Sequence, residues 1–458
     1  MSPVLSPGQA AGAAAPLTVV GAGPVGTLLA LLLARAGRTV QVLEGRADPR
    51  TAPPQGGRSI NLALAQRGLR ALAAAGVLDA VRPEMVIMPG RQLHEPGGGE
   101  TFLPYGSAPG EVVYAVGRSR LNAALIEAAA RIPQITLCFG QRCTAVDPAT
   151  GTLQVRDAAT GVLSTHSADL IVAADGAGSA LRSGLAERGA LQVSEAPLDH
   201  DYKELLIPAT AAGGYVFNAH ALHIWPRGGH MLIALPNPDG SFTATLFLPA
   251  VGLPSFAALA TPGAARRFFL EQFPDALAAI PDFDRQFASH PQGQLGTVYC
   301  WPWHRQRALL IGDAAHAIVP FHGQGLNCGF EDCVLLARLL DEERSSEVAC
   351  ARFERERRPN TDAIAAMALE NYQEMRAGVL APDFARRKRL AADLERRFPG
   401  RFIPRYAMVM FHPEIPYAEA QRRGALQESV LDTLLATQVG TDVAGQTAAE
   451  RLLTEAGL

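Results

Sequence analysis

Paired cysteines are missing from this 458-residue chain. Its six cysteines stand apart, at 138, 143, 300, 328, 333 and 350. None belongs to a Cys-x-x-Cys set, so a structural zinc site has no ligand frame and no metal is expected. The thiols are expected to be reduced and mostly buried, as in a cytoplasmic protein. A dominant charge is missing as well. Forty-one basic side chains against 44 acidic ones leave a formal net charge of −3 and a pI near 6.4. Nucleic acid is therefore not a main partner. There is no Ser/His/Asp set, no HExxH motif and no Walker loop. Any organic chemistry must then come from a bound cofactor. A secretion signal is not expected either. The first sixteen residues, rich in Ala, Pro, Gly and Ser, lack both a basic start and an apolar core, and a disordered tail is expected. Residues 17–34 form an uncharged, largely apolar run of 18. Pro24 and a glycine cluster inside it favour strand, turn and helix over a membrane span. From Leu426 to Leu458 the chain is broken by Thr, Gln, Asp, Glu and Gly, so it offers no span there and reads as soluble.

Glycine is what the chain has in informative places. The apolar Leu17–Val20 runs into Gly21-Ala22-Gly23-Pro24-Val25-Gly26. A helix is expected from Thr27 to Ala36, closed by Gly37, and then a strand from Thr39 to Leu43 that ends at Glu44. Strand, tight glycine turn, helix and strand make the dinucleotide-binding context. Gly21 makes the turn, Gly23 admits a pyrophosphate and Gly26 lets helix and strand pack. Glu44 lies 21 residues beyond Gly23, where a carboxylate can accept from a ribose hydroxyl. A second stretch begins where the buried strand Ala308 to Ile311 meets Gly312-Asp313. A Pro/Gly-rich loop follows, and a helix is expected near Leu326. Gly323 and Gly325 permit close approach of backbone amides, and the helix start adds donors and partial positive charge. Asp313 suits a sugar hydroxyl. A third strand, from Asp169, ends in Asp175-Gly176, with Gly178 and Arg182 beyond it.

Three pieces in this order resemble the flavoprotein aromatic hydroxylases. Gly57 to Leu64, Asn360 to Asn371, Arg401 to Tyr406 and Phe411 to Tyr417 narrow the resemblance to kynurenine 3-monooxygenases of bacterial type. The likeness spans roughly residues 17–425. It implies an α/β fold: a Rossmann-like FAD-binding domain, a β-sheet substrate domain and a C-terminal helical segment. It also implies FAD as cofactor, NADPH as co-substrate, and hydroxylation of L-kynurenine at the 3 position through a flavin hydroperoxide. The family pattern assigns the cofactor to Gly21, Gly23, Val25, Gly26, Glu44, Arg46, Ala63, Arg118, Cys143, Asp313, Gly323, Gln324, Gly325, Leu326 and Asn327. Pro320, Phe321 and His322 are expected beside the ring and the reacting carbon, His322 as a positioning contact rather than an acid or base. Arg91 and Tyr105 read from spacing alone as an exposed cross-strand pair, facing each other if the hairpin turns at Gly98. The resemblance makes them a clamp for the substrate carboxylate, one charge-assisted contact and one neutral donor. Asn371 and Tyr406 match residues at the substrate's polar end, and Met375 shares a helix face with Asn371. No second glycine fingerprint marks a site for NADPH. Mitochondrial relatives carry a C-terminal membrane segment, and this chain departs from them. The implied partners are kynurenine and O2, without nucleic acid or membrane, and a homodimer is an open arrangement. A hydroxylase of another aromatic acid, and a flavoprotein sensor without turnover, are the alternatives.

The expected organisation is discontinuous. Residues 17–190 and 296–375 form the FAD-binding domain, with the 85–110 hairpin contributing to the substrate site. Residues 191–295 form the substrate sheet and 376–458 a helical cap, with Pro359 and Pro382 breaking the helices. His230 to Pro236 and Ser241 to Leu248 flank Asn237-Pro-Asp-Gly240, a hairpin signal. The first of these strands puts Met231, Ile233 and Leu235 on one face, either ordinary core or a roof for an aromatic substrate. Eight basic residues between Arg386 and Arg405 read as the solvated face of a capping helix.

Overall fold

The computed structural model describes residues 16–51, 61–108, 110–261, 263–376, 384–437 and 443–458. The N-terminal tail before Pro16, residues 57–60 of the Gly57 motif, and Pro382 lie outside the described residues.

Leu17–Val20 is buried at every position, as a strand covered on both faces must be. It sits inside a six-stranded sheet ordered His304–Arg305, Ala308–Leu310, Ile171–Ala173, Leu17–Val20, Val40–Glu44, Ile135–Phe139. All neighbours are parallel except the His304–Arg305 edge. The three motif strands thus lie side by side, and their C-terminal ends open on one crevice, where doubly wound sheets bind ligands. The first helix starts at Pro24 rather than Thr27, because a proline at the first helical position gives up no bond the helix needs. Gly21 takes φ +102°, and a Cβ on Gly26 would come within 2.0 Å of the Gly21 carbonyl oxygen. Only glycine fits at that crossing.

The second large sheet has seven strands, ordered Gln292–Trp301, Gln192–Ile207, Phe242–Pro249, Met231–Pro236, Ala221–Pro226, Gly90–His94, Glu100–Pro104. Pro236 pairs with Phe242, so the hairpin at Asn237 to Gly240 forms where the sequence signals it. The Gly90–His94 strand adds parallel to Ala221–Pro226. The sheet therefore takes strands from both sides of the 191–295 segment.

One helix, Ser346–Arg376, runs straight through Pro359, contrary to the break expected there. Asn360 Nδ2 donates to the Glu356 carbonyl at 2.9 Å and Thr361 Oγ1 to the Arg358 carbonyl at 3.0 Å, beside the bond that proline cannot make. Arg357, buried, is fixed to Asp332 at 2.7 Å. These tertiary ties outweigh a local cost of about 3 kcal/mol.

The C-terminal helices divide between two cores. Met408, Val409, Met410 and Phe411 of the Arg405–Phe411 helix pack with Ala65, Met88 and Cys328 beside the cavity. Leu394, Leu431, Leu434 and Leu453 of the helices Phe384–Arg397, Tyr417–Ala436 and Val443–Glu455 form a separate cluster with Phe402 of the loop between the first of these and Arg405. Among the described residues no helix is long and apolar enough to cross a membrane. The basic segment is tied to acidic neighbours: Arg387 to Glu428 and Asp432, Lys388 to Glu374, Arg396 and Arg397 to Asp393. All six cysteines are free thiols, and five are buried.

Candidate active site

A cavity of about 400 Å³ lies where the two large sheets meet. Its cofactor end is built from backbone turns. Gly23, Val25, Ala63, Gly176, Asp313, Gly323, Gly325 and Leu326 line it, together with Arg118 at the start of the Arg118–Ala130 helix. A Cβ added at Gly23 or Gly176 would meet nothing within 4 Å, so both turns leave room for a ligand against the backbone. An acceptor at Asp313, a cation at Arg118 and amides at two glycine turns suit a dinucleotide with a sugar-like chain.

Other expected cofactor residues stand behind this lining. Gly21 and Gly26 shape the turn. Glu44, buried, accepts from the Ala22 amide at 2.9 Å and from the Arg46 backbone and guanidinium. Burial pushes its carboxyl up, but these bonds win and hold it below its ordinary range. Cys143 is a buried thiol pushed up to about 12 by burial, and it does not line the cavity. The Gln324 side chain accepts from Tyr417 Oη at 2.7 Å and meets Met410 Sδ. Asn327 accepts from the Ala65 amide and donates to the Ala63 and Gly323 carbonyls. The side chains of both are committed inside the protein, and the Gln324 carbonyl accepts from the Cys328 amide at 2.8 Å, which leaves the backbone amides at this helix start for a ligand.

At the other end Arg91, Tyr105, His322, Met375 and Tyr406 converge. The hairpin register differs from the one expected. Arg91 pairs with Leu103, and Tyr105 donates its amide to the Pro89 carbonyl at 3.0 Å. The turn centres on Gly97, one residue earlier than Gly98, because the Glu95 amide closes on the Gly99 carbonyl. Arg91 and Tyr105 are therefore diagonal neighbours on one face, still within reach for long side chains. The Arg91 guanidinium carbon lies 5.3 Å from the Tyr105 ring centroid and 4.6 Å from that of Tyr406. The two phenol rings stack at 5.7 Å, and the His322 ring stacks on Tyr406 at 5.3 Å. Burial holds the Tyr105 phenol above its ordinary range, so it stays a neutral donor. Burial, helped by the nearby Arg91, pushes His322 down to about 4, so its ring is neutral at pH 7, and Nδ1 has no partner. Asn371 is placed apart from this lining. Its amide nitrogen donates to the Phe321 carbonyl at 2.6 Å and meets Met375 Sδ at 3.3 Å. Phe321 in turn stacks on Tyr372 at 4.0 Å.

The seven-stranded sheet roofs the cavity with Leu222, Ile233, Leu235, Thr245 and Phe247; Met231 is wholly buried beside them. Glu204 also faces the cavity, a position that sequence reasoning missed. Its carboxyl is pushed up to about 7 by burial, with Arg118 pulling the other way. The available signal was alternation: Tyr202 and Glu204 share one face of their strand. His316, Cys328 and Asp332 lie close enough to hold an ion. Arg357 already donates to Asp332 Oδ1 and Cys328 Sγ, so an arginine fills that position.

The chain matches the family described as FAD binding domain over residues 14–206 and 269–368. It is 48% identical over 427 residues to the kynurenine 3-monooxygenase of Stenotrophomonas maltophilia (strain K279a), covering 93% of each chain. It is 47% identical over 419 residues to that of Myxococcus xanthus (strain DK1622), covering 91% of this chain and 90% of the relative. Among solved structures, tetrameric 2-methyl-3-hydroxypyridine-5-carboxylic acid oxygenase superposes with a TM-score of 0.66 at 22% identity, over 91% of this chain and 98% of that one. Pseudomonas aeruginosa PqsL in complex with 2-aminobenzoylacetate gives 0.64 at 21% identity, over 80% and 100%. The structural likeness shows the fold, mixed α/β sheets with a C-terminal helical segment, and the family match makes it an FAD-binding aromatic hydroxylase architecture. The sequence likeness goes further, and the chain belongs to the kynurenine 3-monooxygenase family of FAD-dependent monooxygenases.

Proposed function

We propose that the protein hydroxylates L-kynurenine to 3-hydroxy-L-kynurenine, consuming NADPH and O2 with FAD as cofactor. One observation carries this reading: a single cavity joins the dinucleotide cradle to the Arg91, Tyr105 and Tyr406 group, and Pro320, Phe321 and His322 line it too. When bound, FAD accepts electrons from NADPH and activates O2; the protein supplies binding, orientation and exclusion of water. In this reading Gly23, Arg118 and Asp313 hold FAD. Arg91 takes the substrate carboxylate by a charge-assisted contact, and Tyr105 adds a neutral donor. Tyr406 holds the polar end, while Asn371, expected there as well, acts from behind the lining by fixing the Phe321 backbone. The apolar roof of Leu222, Ile233 and Phe247 covers the aryl ring and keeps water out. His322, neutral, serves as a polar contact and moves no proton. The substrate's own ring amine activates the ortho carbon, so little acid–base help is needed. A cytoplasmic location completes the reading, and light scattering decides whether the chain forms the homodimer left open by the sequence.

The test is product analysis. Purified holoenzyme with kynurenine and NADPH should give 3-hydroxykynurenine by mass. Formation of H2O2 alone would reduce kynurenine to an effector. A panel of benzoate-type acids then separates this reading from another aromatic acid. Flavin reduction without an oxygenated product from any of them would favour a sensor.

A further inference from the structure

We propose that Arg67 is a positioning residue for the hydroxylation proposed above: it latches the Tyr406-bearing helix onto the cofactor loop and thereby keeps the cavity closed to water. The inference rests on that functional reading, but its structural part is independent of the substrate. Arg67 lies on the Gln66–Ala74 helix, and its side chain is 1% exposed. Every guanidinium nitrogen is used. Nε donates to the Val409 carbonyl at 2.8 Å. One terminal nitrogen donates to the carbonyls of Ile415 at 2.6 Å, His412 at 3.2 Å and Met408 at 3.3 Å. The other donates to Glu331 Oε1 at 2.6 Å. Met408 and Val409 belong to the last turn of the Arg405–Phe411 helix, where carbonyls have no helical partner. One planar cation therefore ends that helix and fixes the next corner of the chain.

The same side chain reaches the cofactor loop by two routes. Glu331 also accepts from Arg357 at 3.1 Å, and Arg357 donates to Asp332 Oδ1 at 2.7 Å. Asp332 Oδ2 holds the Gly312 amide at 2.9 Å and His316 at 2.6 Å, on both sides of Asp313. On the second route the Arg67 guanidinium carbon sits 4.1 Å from the Tyr417 ring, whose hydroxyl donates to Gln324 between Gly323 and Gly325. The helix that carries Tyr406 and the loop that carries Asp313 are thus bonded through one buried fork. Lysine keeps the charge and loses the fork.

The test uses full-length holoenzyme carrying Arg67→Lys, Arg67→Met or Glu331→Gln. Arg67→Lys should retain FAD and oxidise NADPH at a rate within about threefold of wild type, whereas the kynurenine KM should rise about tenfold, as loss of one good polar contact gives. The share of NADPH ending as H2O2 should rise severalfold. Hydrogen exchange, measured with FAD and without kynurenine, should show residues 405–417 exchanging at least about tenfold faster. Wild-type coupling together with unchanged exchange in Arg67→Lys would overturn the latch. A purely stabilising role would lower the unfolding midpoint and leave the H2O2 share unmoved, which also overturns it. Should no variant hold FAD, exchange in the wild type decides: segments 405–417 and 312–316 must open together, and separate opening rates refute the coupling. A wild type that fails to hydroxylate kynurenine would sink the function and leave the exchange result standing.

Discussion

Arg91 shows what one residue can be asked to do in this site. It is enclosed by two phenol rings and hydrogen-bonded to the hydroxyls of Tyr105 and Tyr406, so a substrate carboxylate would share its fork with them. Arg91→Ala should raise the kynurenine KM about tenfold to a hundredfold, from about 1.5–3 kcal/mol of charged hydrogen bonding, and should leave FAD bound. An unchanged KM would take Arg91 out of the site. Arg91→Lys should recover little of this, because a point charge neither stacks on Tyr406 nor grips both carboxylate oxygens. Tyr105→Phe should cost less, about 0.5–1.5 kcal/mol, since one neutral donor is lost. The resemblance pointed to Arg91 and Tyr105, but the sequence did not reveal their register. Three adjacent glycines, 97 to 99, all permit the turn, and only the Glu95–Gly99 closure decides among them. Arg67 was illegible for a different reason. An arginine on a short amphipathic helix reads as solvent-facing, and nothing local says that five backbone and side-chain acceptors will converge on it.

At the scale of elements, the strand ends and the C-terminal helices behave differently. The Gly312-Asp313 turn and the fingerprint turn were legible because strand, glycine and helix signals agree there. Asp313→Ala should purify with little yellow colour. Glu44→Ala should lose FAD only in part, because water can replace the single ribose contact expected of it. Equal flavin content in the two variants would count against that ranking. The sequence predicts one helical cap over 376–458, since an apolar stripe shows that a helix is buried but not against what. Packing divides its helices. Ending the chain after Thr437 removes only Leu453 and its neighbours from the satellite cluster. That truncate should keep FAD and coupled turnover, with a lower unfolding midpoint. Ending it before Arg405 strips Met408 to Phe411 from the core beside Ala65 and leaves Arg67 buried beside Glu331 without its carbonyl partners. This chain should aggregate or uncouple NADPH oxidation from hydroxylation; full coupled activity would show that the Arg405–Phe411 helix is dispensable.

For the whole molecule, buried titratable groups set how stability depends on pH. His223, His230 and His322 are each pushed down to about 4 by burial. Their unfolded value is about 6.5, so between pH 6.5 and 4 the unfolded chain binds more protons than the folded one. The stability they contribute is complete above pH 6.5 and is lost as pH falls. Each costs roughly 2 kcal/mol by pH 5, at 1.36 kcal/mol per unit of pH. Glu204 acts in the opposite direction. Its carboxyl is raised to about 7, so the folded state holds the extra proton between pH 4.5 and 7, and stability falls as pH rises through that window. Acidifying from pH 7 to 5 then returns roughly 3 kcal/mol at Glu204 against roughly 6 lost at the three histidines. The histidines win by number, and the holoenzyme should unfold at a lower denaturant concentration at pH 5 than at pH 7. His322→Gln should narrow the gap between the two midpoints by about a third of the histidine share, and Glu204→Gln should widen it. Equal midpoints at pH 5 and 7 in the parent protein would mean that these rings are not held neutral in the folded state.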